Sequence, residues 1–307
     1  MPQLLTAERK AVVNWLSQTD FSDHSHKYKR GHALVVAGSA DYSGAAVLCA
    51  NAAMRSGVGL VTMYVPASVK AEVASRVLPE VIVKAITEND GEGSNDAFGA
   101  MSDTFRKANA IAVGCGLSVN DKGVGKLFRE IVENRKAPVI VDASALSFMP
   151  HILRKSTQSE SDKRTSPELI LTPHDGEFLR LLGTDDKEAI QDRIAAVRDF
   201  ASKNNVILVL KGEGVLIGAP DGRVVVNPTG NSGLGKAGNG DTLAGILAGF
   251  TAQASKKSID IFETAVAAVY VAGMAGDIAE KKFGKRVMTA SDVRECLADA
   301  FLELSIG

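Results

Sequence analysis

Five short β-rich apolar runs punctuate the first half of the chain, ALVVA (33–37), LVTMYV (60–65), VIVKAI (81–86), AIAVG (110–114) and PVIVDA (138–143), and each is followed by a segment of helical character. Runs apolar on both faces suit parallel strands covered above and below, and parallel strands need crossover helices between them. The expected fold is therefore α/β: a mostly parallel, doubly wound sheet with helices on both faces. ELILTP (168–173) resumes the strand pattern. VILVLKGEGVLIGAPDGRVVVNPTG (206–230) then holds three short strands split by glycine turns, which predicts an antiparallel meander at the sheet edge. Two long helices rich in small residues are expected from near Asp241 and Ile259, and a capped one from Thr289 to Asp292.

The 307 residues contain no repeat and no Pro- or Ser-rich linker, so a single domain over 1–307 is expected, with a short amphipathic helix over about 1–20 (Leu4, Leu5, Val12, Val13, Leu16) docked on it. Residues 154–166, RKSTQSESDKRTS, have no apolar side chain and read as a solvated loop. Lys plus Arg number 35 against 36 Asp plus Glu, with no long one-signed block, so no nucleic-acid partner is expected. The N-terminus lacks the apolar run of a signal peptide and no uninterrupted apolar stretch reaches membrane-spanning length, so no membrane partner is expected either. Cys49, Cys115 and Cys296 are far apart, in no metal-binding or disulfide spacing, and take a structural reading in a reducing cytoplasm.

Glycines concentrate where strands hand over to helices, the place where backbone amides meet anions in open α/β sheets. The densest cluster is TGNSGLGKAGNGDTLAGILAG (229–249). Its start nearly satisfies G-x-x-x-x-G-K-[ST], but Ala237 stands where a hydroxyl is required, and Gly238 and Gly240 would weaken a helix that began after Lys236. Starting the helix at Gly240–Asp241 avoids both objections. Gly238, Asn239 and Gly240 become an anion-cradling turn, and Asp241 becomes a first-turn carboxylate placed to take a proton from a hydroxyl attacking a phosphoryl group. Taken alone, G-x-G-D reads rather as an ordinary glycine turn with an acidic first turn.

Other segments supply context. G-x-G-D opening a long helix late in an α/β chain resembles the ribokinase-like superfamily, and the T-G-N and L-x-x-x-G-x-G-D-x-L-A-G around it are similar to the NAD(P)H-hydrate dehydratase branch. In order, residues 31–66 resemble that branch's opening strand, substrate loop and first crossover helix, GCGLS (114–118) its G-P-G-L-G turn, and VDASAL (141–146) its D-A-D-A-L. TPHDGEF (172–178) resembles its T-P-H-x-G-E-[FM], and LKGEGVLI (210–217) its L-K-G-x-x-T-V-I. The departures are Cys115 for Pro, Ser118 for Gly, Ser144 for Asp, Val215 for Thr, and Ala237 and Asn239 within the usual G-G-T-G-D. With only residues 1–30 ahead of the first strand, the stand-alone form without the epimerase domain of some relatives is expected.

The resemblance implies a lyase that repairs (6S)-NADHX or (6S)-NADPHX to NADH or NADPH at the expense of ADP or ATP, with Mg²⁺, as a homotetramer in the cytoplasm. Alternatives are a sugar or vitamin-precursor kinase of the same fold and a nucleotide sensor without turnover. It implies that Asp241 is the base, that Gly238, Asn239 and Gly240 form the cradle, and that Ala45, Gly116 and His174 lie with Asp241 in the substrate site. Lys211, Gly212, Glu213, Gly214, Val215 and Gly240 would follow the nucleotide, with Lys211 as a point charge. Without the resemblance, Lys211 reads as an edge-strand lysine and His174 as a water-facing residue at a helix start. Asp142 either organises Mg²⁺ or caps a turn, Glu177 stands behind the site or meets the metal through water, and no metal ligand is assigned.

Overall fold

The computed structural model describes residues 4–86, 97–156 and 168–305. The strands are β1 Leu4–Thr6, β2 His32–Val36, β3 Leu60–Pro66, β4 Ile82–Ile86, β5 Ala110–Val113, β6 Val139–Val141, β7 Leu169–Leu171, β8 Ile207–Leu210, β9 Leu216–Gly218 and β10 Val224–Val226. The helices are α1 Arg9–Thr19, α2 Ser43–Arg55, α3 Lys70–Ala74, α4 Ala97–Lys107, α5 Lys122–Glu133, α6 Met149–Ser156, α7 Asp175–Leu182, α8 Arg193–Asn204, α9 Asn239–Lys257, α10 Ile261–Phe283, α11 Ala290–Glu295 and α12 Leu297–Ser305. All ten strands join one sheet in the order β1-β10-β9-β8-β7-β6-β5-β2-β3-β4.

Only β9 runs against its neighbours, so the meander β8–β9–β10 is antiparallel as its glycine turns require, while every other pairing is parallel. The central strands are buried along their whole length, which explains their unbroken apolar sequence. Two cores follow. One packs Val35, Ala112 and Ile140 beneath Phe250, Ala265 and Trp15; the other packs Leu34, Ile111 and Val141 over Phe128, Met149 and Phe178.

The N-terminal expectation needs correction. Residues 4–6 form β1, parallel to β10, and the helix begins only at Arg9. Leu4 and Leu5 therefore cap the sheet edge and stay partly exposed, because their apolar run serves strand pairing rather than a helix face. The meander is in turn one strand short of the edge. Arg154, Lys155 and Ser156 extend α6 instead of opening a loop, and residues 157–166 lie outside the described residues.

The long helix α10 is apolar enough by length and composition to cross a bilayer, but most of that stretch is buried inside the fold. The α2–α9 contact is closer than ordinary helix packing. A Cβ at Gly245 would lie 2.1 Å from the Cys49 carbonyl oxygen, so only glycine permits the approach. That contact fixes the start of α9 over the carboxyl ends of β5 and β6.

Candidate active site

The chain steps outward from β2 to β3 and β4, then returns to β5 and proceeds through β6, β7 and β8 in the other direction. The reversal leaves a crevice beyond the carboxyl ends of β2 and β5, where open α/β sheets bind ligands. Gly38, after β2, donates its amide to the Cys115 carbonyl at 2.8 Å and ties the two strand ends together there.

Each neighbouring strand delivers one polar group to this face. Cys115 follows β5, Asp142 follows β6, Thr172 follows β7 and Lys211 follows β8. Asp142 is buried, and its Oδ1 accepts from Thr172 Oγ1 at 2.6 Å and from Lys211 Nζ at 2.8 Å. Its Oδ2 accepts from the Cys115 thiol at 3.6 Å. Lys211 Nζ also lies 3.7 Å from Glu177 Oε2. Burial works against the ammonium, but Asp142 and Glu177 outweigh it and hold Lys211 above its ordinary pKa, so it is a permanent cation.

Asp241 enters from above on α9. Gly238 caps that helix in the left-handed region at φ 92°, and a Cβ there would meet Leu48 Cδ1 at 2.6 Å, so the turn requires glycine twice over. Thr242 N closes on the Gly238 carbonyl and Asn239 N on that of Lys236, leaving the Gly240 amide with no backbone partner among the described residues. A Cβ at Gly240 would point 3.4 Å from Lys211 Nζ and 4.0 Å from Asp142 Oδ2. Gly240 thus lies between a cation and a helix N-terminus, the elements of an anion cradle. Burial first, and then the charge of Asp142, push the Asp241 carboxyl up to about 6, against opposing contributions from Cys115 and Lys211.

His174 caps α7: its Nδ1 accepts from the amides of Gly176 and Glu177 at 3.1 and 3.3 Å, while Glu177 Oε2 accepts from His174 N at 2.8 Å. This is a capping box with histidine in the place usually held by Ser or Thr. With Nδ1 accepting, the ring proton sits on Nε2, on an exposed imidazole.

The implied Mg²⁺ finds no all-protein cage here. Ligand-capable atoms of Cys115, Asp142 and Asp241 lie within 4.8 Å of one another. A thiol, however, is a poor partner for a hard cation, and Asp142 Oδ1 is committed to Lys211 and Thr172. The donor set does not fit Mg²⁺, and Asp142 serves as the anchor of Lys211.

A sequence-family model described as NAD(P)H-hydrate dehydratase matches residues 33–298. The chain belongs to this family. Among relatives of this dehydratase-family chain, an ADP-dependent (S)-NAD(P)H-hydrate dehydratase from Neisseria meningitidis is 36% identical over 263 residues, 86% of this chain and 82% of its own length. A bifunctional NAD(P)H-hydrate repair enzyme from Moorella thermoacetica is 36% identical over 273 residues, 89% of this chain but 49% of its own. The chain spans about half the length of the bifunctional relatives it matches. An ADP/ATP-dependent NAD(P)H-hydrate dehydratase from Bacillus subtilis, co-crystallised with ATP and Mg²⁺, superposes with a TM-score of 0.79 at 28% identity, covering 98% of this chain and 99% of that one. The fold is ribokinase-like.

Within this dehydratase fold, Gly240 and Asp241 lie beside Lys211, Gly238 and Asn239 form the turn that leads into them, and His174 stands behind Lys211 through Glu177. Lys211 is no edge lysine, since β8 lies between β7 and β9. Gly116 and Ala45 meet each other: a Cβ on Gly116 would lie 2.9 Å from that of Ala45 and 2.6 Å from the Tyr42 carbonyl, so the glycine first of all admits the Tyr42 turn. Gly212, Glu213 and Gly214 form an exposed turn, and the Val215 side chain packs against the core.

Three contributors were missed in the sequence. Arg193 pairs with Asp175 at 3.1 Å and donates to the carbonyls of Lys211 and Glu213, bracing the β8–β9 turn. Its position at the start of α8 carries no motif. Thr172 and Cys115 sat inside recognised motifs, yet their roles depend on which strand ends become neighbours.

Proposed function

We propose that this chain dehydrates (6S)-NADHX and (6S)-NADPHX to NADH and NADPH, consuming ADP or ATP through a phosphorylated intermediate. The observation that supports this reading most directly is Asp241, a carboxylate in the first turn of α9 beside the Gly240–Lys211 cradle. The 6-hydroxyl of the hydrated ring attacks the terminal phosphoryl group; its O–P bond forms as the bridging O–P bond of the nucleotide breaks, releasing AMP from ADP or ADP from ATP. Asp241 takes the hydroxyl proton, and a base with a pKa near 6 is ionised at neutral pH yet still proton-accepting. Hydroxide is a poor leaving group and phosphate a good one. The ring-nitrogen lone pair expels phosphate from C6, and loss of the C5 proton restores the reduced nicotinamide.

Lys211 and the Gly240 amide face the charge that builds on the transferred group, in a place already organised before substrate arrives. The exposed backbone of Gly212, Glu213 and Gly214 runs out from Lys211 and offers a track for the nucleotide, while Ala45, Gly116 and the Nε2–H of His174 line the path to the nicotinamide end. Mg²⁺ is proposed to come with the nucleotide's phosphates, as hydrated Mg²⁺ commonly does.

The enzyme is further proposed to act in the cytoplasm as a homotetramer. Its cysteines are free and buried, and Phe283, Val287 and Leu302 expose apolar surface around the Lys282–Asp299 pair that joins α10 to α12. Light scattering on the purified chain tests the assembly. The activity is tested with NADHX, Mg²⁺ and either nucleotide. The expected result is recovery of reduced-nicotinamide absorbance with one phosphate released per turnover. A stable phosphorylated alcohol without that absorbance would overturn the reading in favour of a kinase.

A further inference from the structure

Asp241 has an unusual neighbourhood for a base. The groups that face it are Asp142 at the end of β6, Lys211 at the end of β8 and Cys115 after β5, with Glu177 of α7 reaching Lys211 and Cys49 of α2 in contact with Cys115 from behind. Two carboxylates share this buried space with one ammonium, and that ammonium is bonded to Asp142 Oδ1. Asp142 Oδ2, on the side of Gly240, accepts from the Cys115 thiol at 3.6 Å. Asp241 closes the group: the ligand-capable atoms of Cys115, Asp142 and Asp241 all lie within 4.8 Å of one another. Cys115 is itself 1% exposed, so water does not compete for its proton.

The backbone holds the thiol in place. Gly114, at φ 129°, sits against the Asp142 carbonyl so closely that a Cβ would come within 1.8 Å of that oxygen, and the Cys115 carbonyl accepts from Gly38. A residue pinned at both sides, with a short side chain and one proton, has little freedom to aim elsewhere.

We propose that Cys115 is the positioning residue of Asp241: its thiol proton, shared between the Asp142 and Asp241 carboxylates, holds the two side by side and keeps Asp241 turned toward the cradle. This role rests on the dehydratase reading for its kinetic test but not for its spectroscopic one. A thiol is a weak donor in water, yet between buried carboxylates even a weak donor separates like charges that would otherwise repel. Without it, Asp241 holds its proton more tightly and wanders from its bearing on the substrate hydroxyl.

The test compares Cys115→Ala, Cys115→Ser and, as a control, Cys49→Ala, which removes the thiol behind Cys115 without touching either carboxylate. Cys115→Ala is expected to lower kcat about fivefold, the scale of one lost hydrogen bond to a charged group, with the nucleotide KM unchanged and the acid limb of kcat/KM moved to higher pH. Cys115→Ser supplies a stronger donor and restores kcat, and Cys49→Ala leaves it at the parental value. Parental kcat and acid limb in Cys115→Ala overturn the proposal, as does a Cys115→Ser enzyme of unchanged melting temperature that remains as slow as the alanine variant. Infrared absorption gives a reading without turnover. The S–H band lost in Cys115→Ala should shift as pH passes through about 6, where Asp241 ionises, and a stationary band rejects the shared proton even if the enzyme proves to have another substrate.

Discussion

Replacing Gly240 by alanine should raise stability and destroy function, two effects of opposite sign from one methyl group. Gly240 lies in the first turn of α9 outside the left-handed region, and the new Cβ would find its nearest neighbour, Lys211 Nζ, at 3.4 Å, an ordinary contact. The folded protein accepts it without strain, and the unfolded chain loses freedom, so alanine should stabilise by about 0.5–1 kcal/mol. That corresponds to a rise in Tm of about 2 °C for a domain of this size. The same carbon occupies the space between the Gly240 amide, Lys211 and Asp142 that a phosphoryl oxygen needs. Losing one preorganised donor to a transition-state oxyanion costs roughly 2.7–4 kcal/mol, so kcat/KM should fall by about 10²–10³. Calorimetry and initial rates on the same preparation decide it. A Gly240→Ala enzyme within a few-fold of the parent places the phosphate elsewhere, whereas a drop in Tm shows that the turn is strained. Gly238→Ala is the contrast: at φ 92° and against Leu48, it should lose about 1–3 kcal/mol of stability.

Asp241→Asn should reduce turnover by a factor on the order of 10² or more while nucleotide affinity holds or rises, measured by single-turnover rates and calorimetric titration. Because the folded Asp241 pKa is raised to about 6, its stabilising contribution is present below the unfolded value and is lost as pH rises through 6; Asp241→Asn should therefore match or exceed the parental Tm at neutral pH, and a lower Tm there contradicts the assignment. Lys236 Nζ donates to the carbonyls of Arg286 and Met288 at 2.6 and 2.8 Å, so Lys236→Ala should lose stability through that loop but less than about tenfold in kcat/KM; a crippled enzyme of parental stability would restore the Walker-type reading. His32, buried beside Thr62 and lowered to about 4 by burial and by Lys84 and Lys107, keeps its stabilising neutral form above its unfolded pKa of about 6.5 and loses that contribution as pH falls toward 4. His32→Gln should flatten stability over that interval in urea titrations, and an unchanged slope rejects His32 as its source.

The parallel sheet was legible because buried strands leave unbroken apolar runs, and the cradle because everything after Gly240 is helix-compatible. Lys211 was read as a phosphate-side cation, but its anchor was not legible. Asp142 lies 69 residues away, and only the sheet order brings β6 and β8 to either side of β7. Cys115 reads as structural from the sequence for a similar reason: its sequence neighbours are apolar or glycine, and its chemistry comes from two carboxylates on other elements. Leu4 and Leu5 read as part of a helix because strand and helix are hard to separate in a short apolar run when the pairing partner is distant.

That distance bears on how the protein is made. β1 pairs Leu4 with Val224, so during synthesis this strand has no partner until the meander has followed, and it must cross a closure of 220 residues to reach it. The β2–β8 portion can assemble meanwhile, with Asp142 neutralised as soon as Lys211 is in place. Asp241 arrives later still, on α9. During synthesis, then, the carboxylate is satisfied before the base exists, and the sheet edge stays open to other strands until the meander is complete. Conditions that slow translation beyond β8 should make this chain most prone to aggregate through Leu4 and Leu5.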